Sequence, residues 1–98
     1  MNITADEVHS DQSKTILDLT VLYNGMPKKI EIDRDATVKT LLDRSIALFG
    51  NLPQPHTLSL WTEKGVELSN EQETLKAAHL KEGDSLILRP SAVKGGES

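Results

Sequence analysis

Residues 15–33 read TILDLTVLYNGMPKKIEID, and half of the fold follows from them. Leu17, Leu19, Val21 and Tyr23 recur at every second position, with Asp18, Thr20 and Leu22 between them. That is the period of a strand with one buried face. Asn24-Gly25 comes next, the strongest short hairpin signal, because both residues tolerate positive φ. The chain then returns with Ile30 and Ile32 on the apolar face and Glu31 and Asp33 on the polar one. Residues 16–33 are therefore expected to form an amphipathic hairpin.

The period changes in the following stretch, RDATVKTLLDRSIALFG. Val38, Leu41, Leu42, Ile46 and Phe49 recur at helical spacing and make one stripe. Thr37 is the expected N-cap, its hydroxyl accepting an orphan amide of the first turn. Asp35 lies on the favourable side of the helix dipole. Gly50 can take the left-handed conformation that ends a helix. Pro53 and Pro55 then forbid resumption, since neither has an amide hydrogen to give.

Leu58 and Leu60 alternate with Ser59 and Trp61 in HTLSLWT, a third strand. EKG is a turn, and VEL reads as a short returning strand. SNEQETLKAAHL reads as a loop with one helical turn, capped by Thr74 and carrying Leu75, Ala78 and Leu80. Gly83 supplies a turn into SLILR, where Leu86 and Leu88 face the core and Ile87 faces away. Pro90 stops it. The order is strand, strand, helix, strand, short strand, helical turn, strand. One helix lying across one sheet is the clean way to bury these stripes. The expected fold is α+β, a mixed sheet of four to five strands with one helix packed across it. Residues 1–14 are polar, acidic and aperiodic and read as a disordered arm. Residues 15–90 form the domain, and residues 91–98 a flexible tail.

Composition narrows the function classes. The 98 residues suffice for one domain. The formal charge of −4, with no basic cluster interleaved with aromatics, argues against nucleic acid as a partner. No apolar run is long enough to span a bilayer, and the N-terminus has no signal-peptide pattern, so no membrane is expected and the cytoplasm is the default location. Cysteine is absent, which removes disulfides, thiolate metal sites and cysteine nucleophiles. His9, His56 and His79 have no metal-site spacing, so no metal and no cofactor are expected. GDSL, at residues 83–86, matches a hydrolase motif, but it sits at a turn without partner residues. No catalytic set is visible, and no enzyme activity is expected.

The order of elements across residues 15–90, followed by Gly95-Gly96, resembles ubiquitin and its relatives. The helix start DATVKTLL, the stretch LPQPHTLSLW and the ending TLKAAHLKEGDSLIL are similar in pattern to the matching parts of ubiquitin. Among relatives the chain looks most like the bacterial ubiquitin-like modifiers, so a β-grasp fold is implied. So are an activating enzyme, a conjugating enzyme, a JAB-type zinc protease and target proteins as partners of a monomer. Two departures matter. The tail RPSAVKGG has only Arg89 and Lys94 as basic residues, which implies a dedicated activating enzyme. The positions that match ubiquitin's apolar recognition patch are Ser59 and Arg89, both polar. Common ubiquitin-reading domains are therefore expected to bind weakly or not at all.

The chemistry that the resemblance implies is acyl transfer from the C-terminus. Glycine has no Cβ, so the backbone of Gly95 and Gly96 can approach a nucleotide or thiol closely. Residues 91–96 would span about 20 Å at roughly 3.3–3.6 Å each. Glu97 and Ser98 block a free Gly96 carboxylate, so the reading requires a cut after Gly96. Attachment of Gly96 to an amine gives an isopeptide bond when that amine is a lysine. Lys14, in the arm, is the easiest acceptor if chains form. A non-covalent adaptor with an inert tail is the alternative, and a sulfur carrier a third. For either binding role, Leu22, Ile87 and Trp61 are expected to point outward from neighbouring strands, beside Ser59 and Arg89, as a partner-binding surface.

Overall fold

The computed structural model describes residues 15–93. The N-terminal arm with His9 and Lys14, and Lys94, Gly95, Gly96, Glu97 and Ser98, lie outside the described residues. Four strands form one sheet in the order β2-β1-β4-β3. β1 is Ile16–Tyr23, β2 Met26–Asp33, β3 Leu58–Thr62 and β4 Ser85–Pro90. β1 and β2 pair antiparallel with Tyr23 opposite Met26, so Asn24-Gly25 is a two-residue turn. Both turn residues have positive φ, 54° and 80°, as that hairpin demands. The last strand runs parallel to the first and antiparallel to β3. A strand that leaves and returns in parallel needs a crossover, and the helix supplies it.

That helix, α1, is Val38–Phe49. Its first amides are all satisfied. The Val38 and Lys39 N–H groups donate to the Glu73 and Glu71 carbonyls at 2.8 and 3.0 Å. The Thr40 N–H donates to Thr37 Oγ1 at 3.2 Å, so the N-cap stands where expected. Gly50 closes the other end at φ 85°, its N–H donating to the Ile46 carbonyl. A 3-10 turn over Pro55–Thr57 leads into β3.

The core lies between α1 and the inner face of the sheet. It contains Leu17, Leu19, Val21, Ile30, Ile32, Val38, Leu41, Leu42, Leu58, Leu60, Leu75, Leu80, Leu86 and Leu88. Tyr23, Ile46, Phe49 and Leu68 pack against it half-buried. Ser45 is fully buried, although the apolar stripe passes over it. Its hydroxyl donates to the Leu41 carbonyl at 2.7 Å, and that bond makes the burial tolerable.

The stretch after β3 departs from expectation. VEL does not form a strand. Only Glu67 makes a bridge, opposite Trp61, flanked by Thr62 N–H to Val66 O and Leu68 N–H to Leu60 O. Three residues cannot extend a ladder when the chain must turn away to seat Leu75. Residues 75–79 are turns, with the Ala77 N–H donating to Thr74 Oγ1 at 3.0 Å as a cap without a helix. The chain past Pro90 differs too. Ser91, expected to open a flexible tail, is buried and donates its N–H to the Thr57 carbonyl at 2.8 Å.

Candidate functional site

Strand pairing decides which residues share the outer face. Leu60 opposes Leu88, both in the core, so their neighbours turn the other way. Trp61 opposes Ile87, and Ile87 opposes Leu22 across the parallel pair. The three form one cross-strand row over β3, β4 and β1. All three are half-buried, so each keeps apolar surface in contact with solvent. The structure thus brings together Leu22, Trp61 and Ile87 as the alternation predicts. Arg89 is exposed on the same face, two residues beyond Ile87. Its guanidinium carbon lies 4.3 Å from the Trp61 ring centroid, a cation–π stack.

Ser59 needs correction as a partner-facing residue. It does lie on this face, opposite Arg89, but only 1% of its surface is exposed. A small side chain between Trp61 on its own strand and Arg89 across from it is shielded by both. The surface is therefore carried by Trp61, Arg89, Ile87 and Leu22, with Ser59 as its floor. The Trp61 Nε1–H is also buried and has no hydrogen-bond partner among the described residues. It adds nothing to recognition unless the ring moves.

The root of the tail adjoins this face. The Glu67 carboxylate accepts from the Ser91 hydroxyl and from the Ala92 N–H, the latter at 3.0 Å. The Val93 N–H donates to Ser91 Oγ at 2.9 Å, and the Val93 side chain is 65% exposed. Sequence reasoning gave Glu67 no role. The only local signal is its alternation with Val66 and Leu68, which turns it to the face that carries Trp61. Its partners lie 24 and 25 residues away.

The described residues hold no group of three or more His, Cys, Asp or Glu side chains placed to bind a metal ion. His56 and His79 are both exposed and lie on separate segments. No helix among the described residues is long and apolar enough to cross a membrane.

Comparison with protein families finds no match, and comparison with curated proteins finds none. Solved structures do match. Ubiquitin of Caldiarchaeum subterraneum aligns with TM-score 0.66 and 27% identity, over 80% of this chain and 96% of its own. The ubiquitin-like domain of yeast Ddi1 aligns with TM-score 0.65 and 25% identity, over 79% and 91%. The ubiquitin-like domain of the Arabidopsis thaliana protein At2g32350 aligns with TM-score 0.67 and 20% identity over the whole of both chains. The mixed four-stranded sheet with one helix across it, shared with these structures, is the ubiquitin-like β-grasp fold, and this chain has it.

Proposed function

We propose that this chain is a ubiquitin-like protein modifier, cleaved after Gly96 and conjugated through the Gly96 carboxylate to amines of target proteins. The observation that carries the reading is the diglycine, Gly95-Gly96, five and six residues past the end of β4 in a chain with the ubiquitin-like fold. Fold alone does not give function, and the diglycine is what separates a modifier from a binding domain.

The chemistry divides cleanly between modifier and enzymes. Hydrolysis of the Gly96–Glu97 amide, assigned to a JAB-type protease, frees the Gly96 carboxylate. That carboxylate attacks the α-phosphate of ATP and expels pyrophosphate, giving an acyl adenylate. A cysteine thiolate of the activating enzyme displaces AMP and forms a thioester, which a conjugating enzyme accepts. The target amine attacks the thioester carbonyl and releases the thiol. The modifier contributes no reactive side chain to these steps, and it has no catalytic role of its own. A cytoplasmic, bacterial conjugation system is the setting in which such a chain would work. The test uses two truncated chains in cells of the source organism. A chain ending at Gly96 should form higher-mass species, and a chain ending at Lys94 should form none. Equal labelling by both would refute the reading.

One observation favours a second reading, a non-covalent adaptor. The row Leu22, Ile87 and Trp61 is a half-exposed apolar strip that ends on the edge strand in an aromatic stacked with Arg89. Those are the residue types that dominate binding energy at interfaces. The two readings share this face, since a modifier also needs a surface by which its enzymes and readers hold it.

A further inference from the structure

One carboxylate ties the root of the C-terminal tail to the sheet. Glu67 takes the Ser91 hydroxyl on Oε2 and the Ala92 N–H on Oε1. Hydrogen bonds to an ionised acceptor are the stronger kind, and two of them here act on adjacent residues. Glu67 is itself fixed in place by its bridge to Trp61 and by backbone bonds on either side. On the tail side, the Ser91 N–H holds the Thr57 carbonyl, and Ser91 is 6% exposed. The anchor therefore acts directly on Ser91 and Ala92 and reaches the Val93 N–H only through Ser91 Oγ, with the Val93 side chain in solvent.

The geometry points to Glu67 as a positioning residue that decides which peptide bond of the tail a protease can reach. This rests on the modifier reading and deepens it. A protease takes the residues before the scissile bond as an extended strand, pairing their main chain with its own. For a cut after Gly96, the four residues before the bond are Val93, Lys94, Gly95 and Gly96. Of these, Val93 is the described residue, and its N–H donates to Ser91 Oγ and not to Glu67. For a cut after Lys94, the four are Ser91, Ala92, Val93 and Lys94, and the first two carry both bonds to Glu67. That cut requires local opening of both bonds to Glu67, whereas a cut after Gly96 leaves Ser91 and Ala92 outside the four residues a protease takes.

The distinction has a chemical consequence. Either cut is ordinary amide hydrolysis, with water adding across the C–N bond to give a carboxylate and an amine. Cutting after Gly96 leaves the diglycine on the domain as a usable acyl donor. Cutting after Lys94 removes it. The anchor also shortens the reach of the tail. Four residues beyond Ala92 extend about 13–14 Å at roughly 3.3–3.6 Å each, against about 20 Å had residues 91–96 all been loose.

Trypsin tests this without any native enzyme, because Lys94 is its only site in the tail. Arg89 is followed by Pro90, and trypsin does not cleave that bond. Release of residues 95–98 from the purified full chain is followed by intact mass. Glu67→Ala should speed release about tenfold, and Ser91→Ala several-fold. Glu63→Ala, which removes an exposed carboxylate from the neighbouring turn, should leave the rate unchanged. Amide exchange at Ala92 should accelerate in Glu67→Ala while exchange at Leu88 does not, which separates a loosened root from a loosened domain. If exchange at Leu88 also accelerates, Ser91→Ala decides, and an unchanged trypsin rate in that variant overturns the proposal. So does a Glu67→Ala rate equal to wild type, or an unprotected Ala92 amide in the wild-type chain. Retention of Glu97 and Ser98 by the protein in source cells overturns the modifier reading and the role in trimming with it, and leaves the trypsin comparison unaffected.

Discussion

Leu75→Ala is expected to destabilise the domain by about 3 kcal/mol, and no less than about 2. Leu75 is fully buried, although it sits in a segment with no helix or strand. Its N–H donates to the Ala36 carbonyl at 2.9 Å, and the next amide, of Lys76, donates to the Arg34 carbonyl at 2.9 Å. Those bonds pin the loop to the chain just before α1, so the loop cannot slide inward to fill the space the lost isopropyl group leaves. A site that cannot collapse keeps its cavity, and the cavity adds to the lost transfer free energy. Against a total stability of about 5–15 kcal/mol, the loss is a large fraction. Urea unfolding would show it as a lower midpoint at unchanged slope. A loss under about 1 kcal/mol would mean that Leu75 is not the peg this packing makes it.

Trp61→Ala is the second large effect, and it falls on binding. Trp61 opposes Ile87 in the register and lies under the Arg89 guanidinium. A tryptophan that acts as a binding hot spot costs about 2 kcal/mol or more in affinity when truncated, or roughly thirtyfold. The inner face of β3 is held by Leu58 and Leu60, so the domain should stay folded. Proteins retained from source-cell extract on the immobilised wild-type domain should be lost on the variant. Arg89→Ala should weaken retention less, since it removes the stacked cation and leaves the ring. Undiminished retention by a folded Trp61→Ala domain would remove the outer face from the account.

Much of the fold is legible in local patterns, for a physical reason. The hairpin is set by two adjacent residues that accept positive φ, and α1 by a stripe between Thr37 and Gly50. The row Leu22, Ile87 and Trp61 follows from strand period once the order of strands is granted. What the pattern misses depends on contacts far apart in sequence. Ser45 sits at helical spacing from Val38 and Leu41, yet a search for apolar side chains passes over a buried hydroxyl. Ser59 reads as outward and is outward, but alternation says nothing of how large its neighbours are. Glu67 reads as one polar residue of a strand that does not form. Its role exists only because the end of β4 is brought beside it. Nothing in SAV announces that Ser91 is buried, because its partners Thr57 and Glu67 lie far back in the sequence.

Gly96 is expected to become a reactive terminus. Intact mass of the protein recovered from source cells, with tryptic digestion of its higher-mass forms, tests it most directly. The free form should be lighter by the masses of Glu97 and Ser98. Branched peptides should appear in which a target amine carries the Gly-Gly remnant left by cleavage after Lys94. A population consisting only of chains that end in Ser98, with no branched peptides, would contradict it.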